Sequence, residues 1–276
     1  MSSDAPVAGR LVVCPTPIGN LEDVTLRVLS ALRDADVIAC EDTRRTRVLL
    51  DRYGVRATLV SYHEHNETAR AAELVERMRG GAVVALVSDA GMPLVSDPGY
   101  VLVQSCVAAG LAVEVLPGPS AALSALVASA LPADRWRFAG FLPRKASELR
   151  AELGSPDTLV AFESPRRVGA TLAVLAALDP ERPVAVCREL TKLHEEVVRG
   201  SAGELAERYA SEGPRGEVVL VIGGASLVSR GTPPEAVAAV RKLVDAGAKP
   251  RAAATVVAGL VPGASANDLY ATLTEE

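Results

Sequence analysis

The sequence predicts an α/β protein made of two α/β domains and a short helical extension. Short runs of Val, Ile and Leu alternate with longer helical patterns in the first half of the chain, which is typical of a mainly parallel sheet. These runs are apolar on both faces, so helices should cover both sides of that sheet. Beyond residue 120 strands outnumber helices, which indicates a mixed sheet. We therefore place the domains at 8–120 and 121–225, and the extension at 232–276.

The composition is that of an ordinary globular protein. The chain is 49% hydrophobic and 23% charged, a composition that excludes a disordered protein. Its length of 276 residues exceeds the usual size of a domain with a single core. We see no signal-peptide pattern, no apolar run long enough for a membrane helix and no Cys-x-x-Cys spacing. We expect a cytoplasmic protein with reduced thiols, no metal site and no membrane contact. The net charge of −5 argues weakly against a protein coated in nucleic acid, yet it leaves room for local basic clusters.

In the first domain, each strand is predicted where β-branched and aliphatic residues cluster, and each helix where apolar residues recur every three or four positions. Asn66 is the expected N-cap of the third helix. The predicted strands are 11–14, 37–40, 58–62, 83–87 and 113–116, and the predicted helices are 22–33, 43–53, 66–79 and 100–109.

The second domain begins with a helix of small residues, and the pattern then changes. Only two clear helices separate the later strands, which favours a mixed sheet. After a polar loop, three short helices form the extension. The predicted strands are 138–141, 158–162, 184–187, 195–198 and 217–222; the predicted helices are 121–130, 168–178 and 202–209; the loop is 226–234, and the extension helices are 235–245, 251–259 and 266–272.

Three loops that follow strands are rich in glycine, proline and small polar residues: 15–21, 88–99 and 117–122. An open α/β sheet binds its ligands at such strand ends. In the second loop Asp97 is explained as a helix N-cap, whereas Asp89 has no such simple role. Ser120 is either a ligand contact at a helix start or an ordinary N-cap. The dinucleotide fingerprint Gly-x-Gly-x-x-Gly is absent, which argues against a nicotinamide or flavin enzyme.

Nine short motifs follow one another in a fixed order along the chain. They are Pro-Thr-Pro-Ile-Gly-Asn-Leu at 15–21, Glu-Asp-Thr-Arg at 41–44, Ser-Asp-Ala-Gly-x-Pro at 88–93, Asp-Pro-Gly at 97–99, Pro-Gly-Pro at 117–119, Gly-Phe-Leu-Pro at 140–143, Phe-Glu-Ser at 162–164, Arg-Glu-Leu-Thr-Lys at 188–192 and Gly-Glu-Val-Val at 216–219. Together they resemble the tetrapyrrole methylase superfamily, and within it the branch that methylates a ribose 2′-hydroxyl in small-subunit ribosomal RNA. The resemblance covers about residues 10 to 224.

The resemblance implies that S-adenosyl-L-methionine binds in a cleft between the two domains and that the protein is a homodimer. It also implies the substrate, a cytidine in the decoding region of 16S rRNA within the small ribosomal subunit. One departure is the stretch after Pro143, which is shorter and less basic than in many members. By this analogy the cofactor-binding residues are Pro17, Ser88, Asp89, Ala90, Pro93, Leu94, Ser120, Ala121, Glu163 and Arg188, with Glu189 nearby.

A ribose 2′-hydroxyl is a poor nucleophile, so a nearby base or cation should assist the methyl transfer. The catalytic candidates are His63 with its neighbour His65, Asp42, Glu163 and Lys192. The histidines and Asp42 also have simpler explanations, because loop histidines are mostly bystanders and Asp42 is a natural cap for the helix that follows it. Glu163 is the candidate base or cofactor-amine ligand, and Lys192 would stabilise a developing alkoxide.

Basic residues in or beside the proposed cleft are the candidates for contact with RNA phosphates. Aromatic residues for base stacking are scarce, so we expect recognition of shape on an assembled subunit. Three rival functions stay open: a tetrapyrrole or corrin methyltransferase, a non-catalytic ribosome-associated module, and a nucleotide-dependent dehydrogenase. The RNA candidates are Arg44, Arg45, Arg47, Arg144, Lys145, Arg166 and Arg167.

Overall fold

The computed structural model describes residues 9–225, 234–261 and 264–274. The chain divides into two compact units, Met1–Gly224 and Ala225–Glu276, and both predicted α/β domains fall within the first unit. Residue 8, most of the predicted loop at 226–234 and the ends of the predicted extension lie outside the described residues.

The first sheet is parallel throughout, as predicted. Its strand order is β3-β2-β4-β1-β5, so β1 lies between β4 and β5 and β4 also pairs with β2. The carboxyl ends of these strands share one edge, and the loops that leave them therefore start side by side. The strands are β1 Arg10–Cys14, β2 Val37–Cys40, β3 Leu59–Ser61, β4 Val83–Val87 and β5 Ala112–Val115.

Helices pack on both faces of this sheet around two apolar clusters. The predicted start of the first helix is wrong. Leu21–Asp23 is a separate 3₁₀ turn, and α1 begins only after Thr25, whose side chain caps it by accepting a hydrogen bond from the Val28 amide at 3.1 Å. The helices are α1 Leu26–Asp34, α2 Thr43–Arg52, α3 Glu67–Arg79 and α4 Tyr100–Ala108.

Asn66 stands at the N-cap position of α3, but its side chain makes no capping hydrogen bond. It folds back to accept from the His63 amide at 2.9 Å and to donate to the Ser61 carbonyl at 3.1 Å. The local turn after β3 competes with the helix end for the same side chain. As a result, Asn66 shapes the turn that carries His63.

The second sheet is mixed, as predicted, with the order β6-β7-β10-β8-β9. Only β6 and β7 run parallel, and the other pairs are antiparallel. Helix α5 covers one face, and α7 and α8 cover the other. The strands are β6 Trp136–Phe141, β7 Thr158–Glu163, β8 Pro183–Arg188, β9 Glu196–Ser201 and β10 Val218–Ile222; the helices are α5 Ala121–Ser129, α6 Ala146–Leu153, α7 Val168–Leu178 and α8 Ala202–Arg208.

Helix α6 was not predicted. Its apolar anchors Leu149 and Leu153 lie four residues apart and are both buried, whereas charged residues around them mask the pattern. The helix fills the connection between β6 and β7, where the sequence suggested only a loop.

The second unit contains three helices, as predicted, and they enclose their own small core, in which Val240, Val257 and Leu269 are buried. Over the described residues, no helix is both long and apolar enough to cross a bilayer. The helices are α9 Pro234–Asp245, α10 Pro250–Leu260 and α11 Ala266–Thr274.

Candidate functional site

The first two predicted loops are joined by backbone hydrogen bonds. The Thr16 amide donates to the Gly91 carbonyl at 2.8 Å, and the Gly91 amide donates to the Thr16 carbonyl at 2.9 Å. The Thr16 hydroxyl adds a third bond, to the Ser88 carbonyl, at 3.0 Å. These bonds are possible because β1 and β4 are neighbours and end in register.

The third loop packs against the first at Gly118. A Cβ atom placed there would lie 2.4 Å from Cγ of Pro15, so only glycine allows this approach. Gly91 of the second loop lies near both remaining loops, since a Cβ on it would be 3.4 Å from Ile18 and 3.7 Å from the Pro119 carbonyl. The three loops therefore converge, as the sequence predicts.

The second loop is strained where it passes the other two. Leu94 and Ser96 have φ angles of 72° and 64°, in the left-handed region that non-glycine residues rarely adopt. Such strain collects at ligand sites in proteins. The predicted N-cap role of Asp97 is wrong, because Gly99, with φ of 139°, occupies that position and α4 has no side-chain cap.

A cavity of about 520 Å³ opens between the edges of the two sheets, within the range of roughly 300–1,000 Å³ usual for small-molecule sites. All three loops contribute to one wall, and the ends of β6, β7, β8 and β10 contribute to the other. The first wall consists of Ile18, Glu41, Arg45, Asp89, Ala90, Gly91, Met92, Val95, Ser96, Asp97, Ser120 and Ala121, and the second of Phe141, Phe162, Glu163, Ser164, Pro165, Cys187, Leu190, Gly216, Glu217, Val218 and Val219.

One part of the cavity is apolar. Phe141 and Phe162 meet edge to face with their ring centroids 5.5 Å apart, and Val95, Ile18 and Leu190 also line the cavity. The small residues Ala90, Gly91 and Ala121 leave room for a ligand to approach the backbone. Such a surface suits a flat heteroaromatic ring.

The remaining lining is strongly acidic. Its carboxylates are those of Glu41, Asp89, Asp97, Glu163 and Glu217, and its one lining cation is Arg45. Behind the lining, Arg167 lies beside Glu163 and Lys192 beside Glu217, so Glu41 and Asp97 are the two lining carboxylates without an ion pair among the described residues. Asp89, whose side chain is 20% exposed, accepts from the Asp42 amide at 3.0 Å and lies 3.5 Å from the Arg45 guanidinium. A cavity of this charge favours a cationic ligand. Across the described parts of the chain, no three His, Cys, Asp or Glu side chains are grouped closely enough to hold a metal ion.

Asp97 is the most perturbed carboxyl in the cavity. Burial, together with the nearby carboxylates of Glu41 and Asp89, raises its pKa to about 7. Burial, Asp89 and Glu64 likewise raise the pKa of Glu41. Sequence reasoning missed both residues as site members, although each stands inside a motif that identified the family.

The predicted cofactor residues divide into two groups. Asp89, Ala90, Ser120, Ala121 and Glu163 line the cavity. The others, Pro17, Ser88, Pro93, Leu94 and Arg188, are not among the lining residues.

Two of these others have clear structural roles. Ser88 is 4% exposed, and its hydroxyl donates to the Gly91 carbonyl at 2.9 Å, so this buried side chain stabilises the conformation of the second loop. Arg188 pairs with Glu196 at 3.3 Å, on the neighbouring strand.

Glu163 is placed at the cavity wall, but both its oxygens are occupied. One accepts from the Ser164 amide at 2.7 Å and lies 3.3 Å from Arg167, and the other accepts from the Thr171 hydroxyl at 2.7 Å. Its side chain has no exposed surface. A carboxylate held in this way fixes the wall and is poorly suited to accept a proton from a substrate.

The other predicted catalytic residues lie outside the lining. Lys192 binds the carboxylates of Glu189 at 2.8 Å and Glu217 at 3.0 Å. Asp42 caps α2 and is bound by Arg44, whose hydrogen bonds lower the Asp42 pKa to about 2, so Asp42 cannot hold a proton near neutral pH. His63 packs against His65 and lies 3.3 Å from the Asn66 amide nitrogen.

The predicted RNA-binding cations are distributed unequally. Arg45 lines the cavity, and Arg44 is 89% exposed but bound to Asp42 at 2.7 Å. Lys145 pairs with Glu148 at 3.0 Å. Arg47, Arg144 and Arg166 are exposed and have no side-chain partner among the described residues.

Arg167, the last of these predicted cations, makes its contacts inside the protein. It donates to the Leu142 carbonyl at 3.0 Å and the Pro143 carbonyl at 2.6 Å, and it also lies beside Glu163. These inward contacts tie the loop after β6 to the cavity wall and leave the guanidinium little capacity for phosphate.

Comparison with known proteins agrees with this geometry. The model of the family described as tetrapyrrole (corrin/porphyrin) methylases matches residues 10–206. A protein of Mesorhizobium japonicum named ribosomal RNA small subunit methyltransferase I is 50% identical over 226 residues, covering 80% of this chain and 77% of that protein. A Mycobacterium bovis protein of the same name is 44% identical over 270 residues, covering 95% of this chain and 94% of its own.

Among solved structures, a uroporphyrin-III C-methyltransferase from Thermus thermophilus complexed with S-adenosyl homocysteine superposes with a TM-score of 0.56. It is 23% identical and covers 78% of this chain and 97% of its own. This likeness concerns the fold alone.

The raised pKa of Asp97 predicts a pH-dependent cost in stability. An unfolded aspartate titrates near 4 and folded Asp97 near 7, so the folded state binds the extra proton and wild-type stability falls as pH rises between these values. Asp97→Asn removes this cost. After allowance for solvent at the cavity mouth, we expect the variant to be about 1–2 kcal/mol more stable than wild type at pH 8 and equal to it near pH 4.

Urea unfolding followed by fluorescence of Trp136, the single tryptophan, measures this difference. Asp134→Asn, an exposed carboxyl in the loop before β6, is the matched control and should show no such trend. A stability gain for Asp97→Asn that is independent of pH would contradict the assignment.

Proposed function

The chain belongs to the tetrapyrrole (corrin/porphyrin) methylase family, and we propose that it is the S-adenosylmethionine-dependent member that methylates small-subunit ribosomal RNA. We further propose that the methyl acceptor is the ribose 2′-hydroxyl of a cytidine in the decoding region. The observation that carries the proposal is the cavity built by three converging loops in a chain 44% identical, over 95% of its length, to a ribosomal RNA small subunit methyltransferase I.

The cavity suits S-adenosylmethionine. Its acidic lining complements the positive charges of the sulfonium and the amino group, and the apolar part near Phe141 and Phe162 suits the adenine ring. Ala90, Gly91 and Ala121 allow a close approach to backbone groups. When bound there, the cofactor supplies a methyl group on a positively charged sulfur. The related Thermus thermophilus enzyme, solved with S-adenosyl homocysteine, supports this choice.

The chain's own contribution is orientation. An in-line displacement depends mainly on how the reacting atoms are held. The hydrogen bonds between Thr16 and Gly91 and the glycine contact at Gly118 hold the loops in one arrangement. Glu163, anchored by Thr171, Ser164 and Arg167, fixes the opposite wall.

Differences in charge would keep the cofactor inside the cavity and the RNA backbone outside it. The cavity interior is acidic and repels phosphate, whereas the unpaired cations Arg47, Arg144 and Arg166 are exposed to solvent. Arg166 directly follows the lining residue Pro165, and Arg144 closely follows Phe141. We propose that these cations hold the RNA backbone outside while one nucleoside enters the cavity.

Ala121→Leu should abolish tight cofactor binding, because the larger side chain projects into the cavity at the start of α5. We expect an at least 30-fold rise in the Kd for S-adenosylmethionine by titration calorimetry. Ser124→Leu, on the same helix but exposed and outside the lining, is the control and should stay within about twofold. Equal cofactor affinities in both variants would show that S-adenosylmethionine does not bind in this cavity.

Methyl transfer to small subunits from cells that lack this protein tests the substrate. We expect label from the cofactor to appear in 16S rRNA as 2′-O-methylcytidine, identified by mass spectrometry of nuclease fragments, and none in uroporphyrinogen. Arg47→Ala combined with Arg166→Ala should raise KM for subunits about tenfold and reduce its salt dependence. The control pair Arg33→Ala and Arg56→Ala, also exposed, should change KM less than twofold. Label in the tetrapyrrole alone would refute the RNA assignment.

We also propose that the protein works as a homodimer, on ribosomal subunits and in the cytoplasm. Leu123 and Val127 lie one turn apart on α5, and they are 50% and 82% exposed. Sedimentation equilibrium should give twice the mass of the chain, and Val127→Asp should shift it to the monomer. Val256→Asp, on the exposed face of α10, should leave the dimer intact. A wild-type protein that stays monomeric at micromolar concentration would exclude the dimer.

A further inference from the structure

Methylation of a hydroxyl releases a proton, and the cavity offers few groups to take it. Of its lining carboxylates, Glu163 is occupied by Ser164 and Thr171, and Glu217 is paired with Lys192. Asp89 is held by the Asp42 amide and Arg45. Removing the proton from a substrate requires a carboxylate whose oxygens are open to the cavity.

Only Glu41 and Asp97 meet this requirement, since neither has a hydrogen-bond or ion-pair partner in the parts of the chain that the structure describes. Asp97 is the better placed of the two. It directly follows Ser96, whose backbone is left-handed with a φ of 64°. The Ser96 hydroxyl lies 3.5 Å from where a Cβ on Gly140 would be, at the irregular end of β6.

We infer that the Asp97 carboxylate is the catalytic base that accepts the proton of the ribose hydroxyl, an inference that rests on the proposed function. The ribose oxygen forms a bond to the methyl carbon as the carbon–sulfur bond breaks. The electron pair of the broken bond stays on sulfur, which becomes a neutral thioether, and the hydroxyl proton moves to Asp97. Charge and atoms balance without another reactant.

The groups around Asp97 raise its pKa into the range that suits a general base. The charged groups that share the cavity are Glu41 at the end of β2, Asp89 in the second loop, Arg45 on α2, Glu163 on β7 and Glu217 before β10. Burial, Glu41 and Asp89 together raise the Asp97 pKa to about 7. A base is most effective when its pKa lies near the working pH, because it is then both largely ionised and strongly basic. Asp42, with a pKa of about 2, lacks the basicity.

The test compares Asp97→Asn with wild type on small subunits at saturating cofactor. We expect kcat to fall by about 10²–10⁴-fold, the range for loss of a general base, with KM for subunits and Kd for S-adenosylmethionine each changed less than threefold. Asp97→Glu should recover part of kcat. Asp134→Asn, which removes an exposed carboxyl outside the cavity, should keep the wild-type kcat.

A pH profile distinguishes a base from a structural role. Wild-type kcat/KM should fall below about pH 7, and Glu41→Gln should move that fall to lower pH, because losing a like charge lowers the Asp97 pKa. Carbon-13 NMR of labelled aspartate carboxyls gives a readout without turnover: one resonance should titrate near neutral pH and vanish in Asp97→Asn.

An Asp97→Asn enzyme with kcat within threefold of wild type would overturn the inference, as would an Asp97 resonance that titrates near pH 4. Loss of cofactor affinity with normal kcat at saturation would also overturn it and would make Asp97 a cofactor ligand. A wild-type protein that methylates no small subunit contradicts the proposed function instead, and the NMR titration separates that case from a failure of Asp97.

Discussion

The two backbone hydrogen bonds between Thr16 and Gly91 are the constraint on which the site depends. They exist because β1 and β4 are adjacent, and that adjacency follows from the strand order β3-β2-β4-β1-β5. The same order places β5 on the other side of β1, so its loop meets Pro15 through Gly118. One wall of the cavity is thus set by sheet topology, and side chains only complete it.

Separation of charge is how we propose that an acidic protein acts on RNA. Inside the cavity, Glu41 and Asp97 have no ion-pair partner among the described residues, whereas each of the other three lining carboxylates lies beside a cation. These two carboxyl groups favour a cation over a phosphate inside the cavity. In our proposal the exposed arginines at 47, 144 and 166 hold phosphate outside it. The net charge of −5 describes only the sum of the chain.

The fold was largely predictable because strand periodicity and motif order are local properties. Both sheets and their character, parallel and mixed, agree with the sequence, whereas α6 was missed because charged residues mask Leu149 and Leu153. The site was less predictable, because it depends on which partner each side chain finds. Glu163 and Arg167 looked available in sequence, but they bind each other and the neighbouring backbone. No spacing rule reveals such an internal pairing.

Asp97 differs from its predicted role in the opposite way: the sequence predicts an occupied capping residue, and the structure leaves its carboxyl group unpaired in the cavity. Asp-Pro-Gly before a helix is a natural capping sequence, and capping would have given Asp97 a low pKa and no free oxygen. Instead Gly99 takes the cap position, and Leu94 and Ser96 adopt left-handed backbone that leaves Asp97 in the cavity. The chain bears the cost of backbone strain and of a carboxyl buried beside two others. Both costs fall on one short loop that lines the cavity, and proteins concentrate strain and perturbed carboxyl groups of this kind at functional sites.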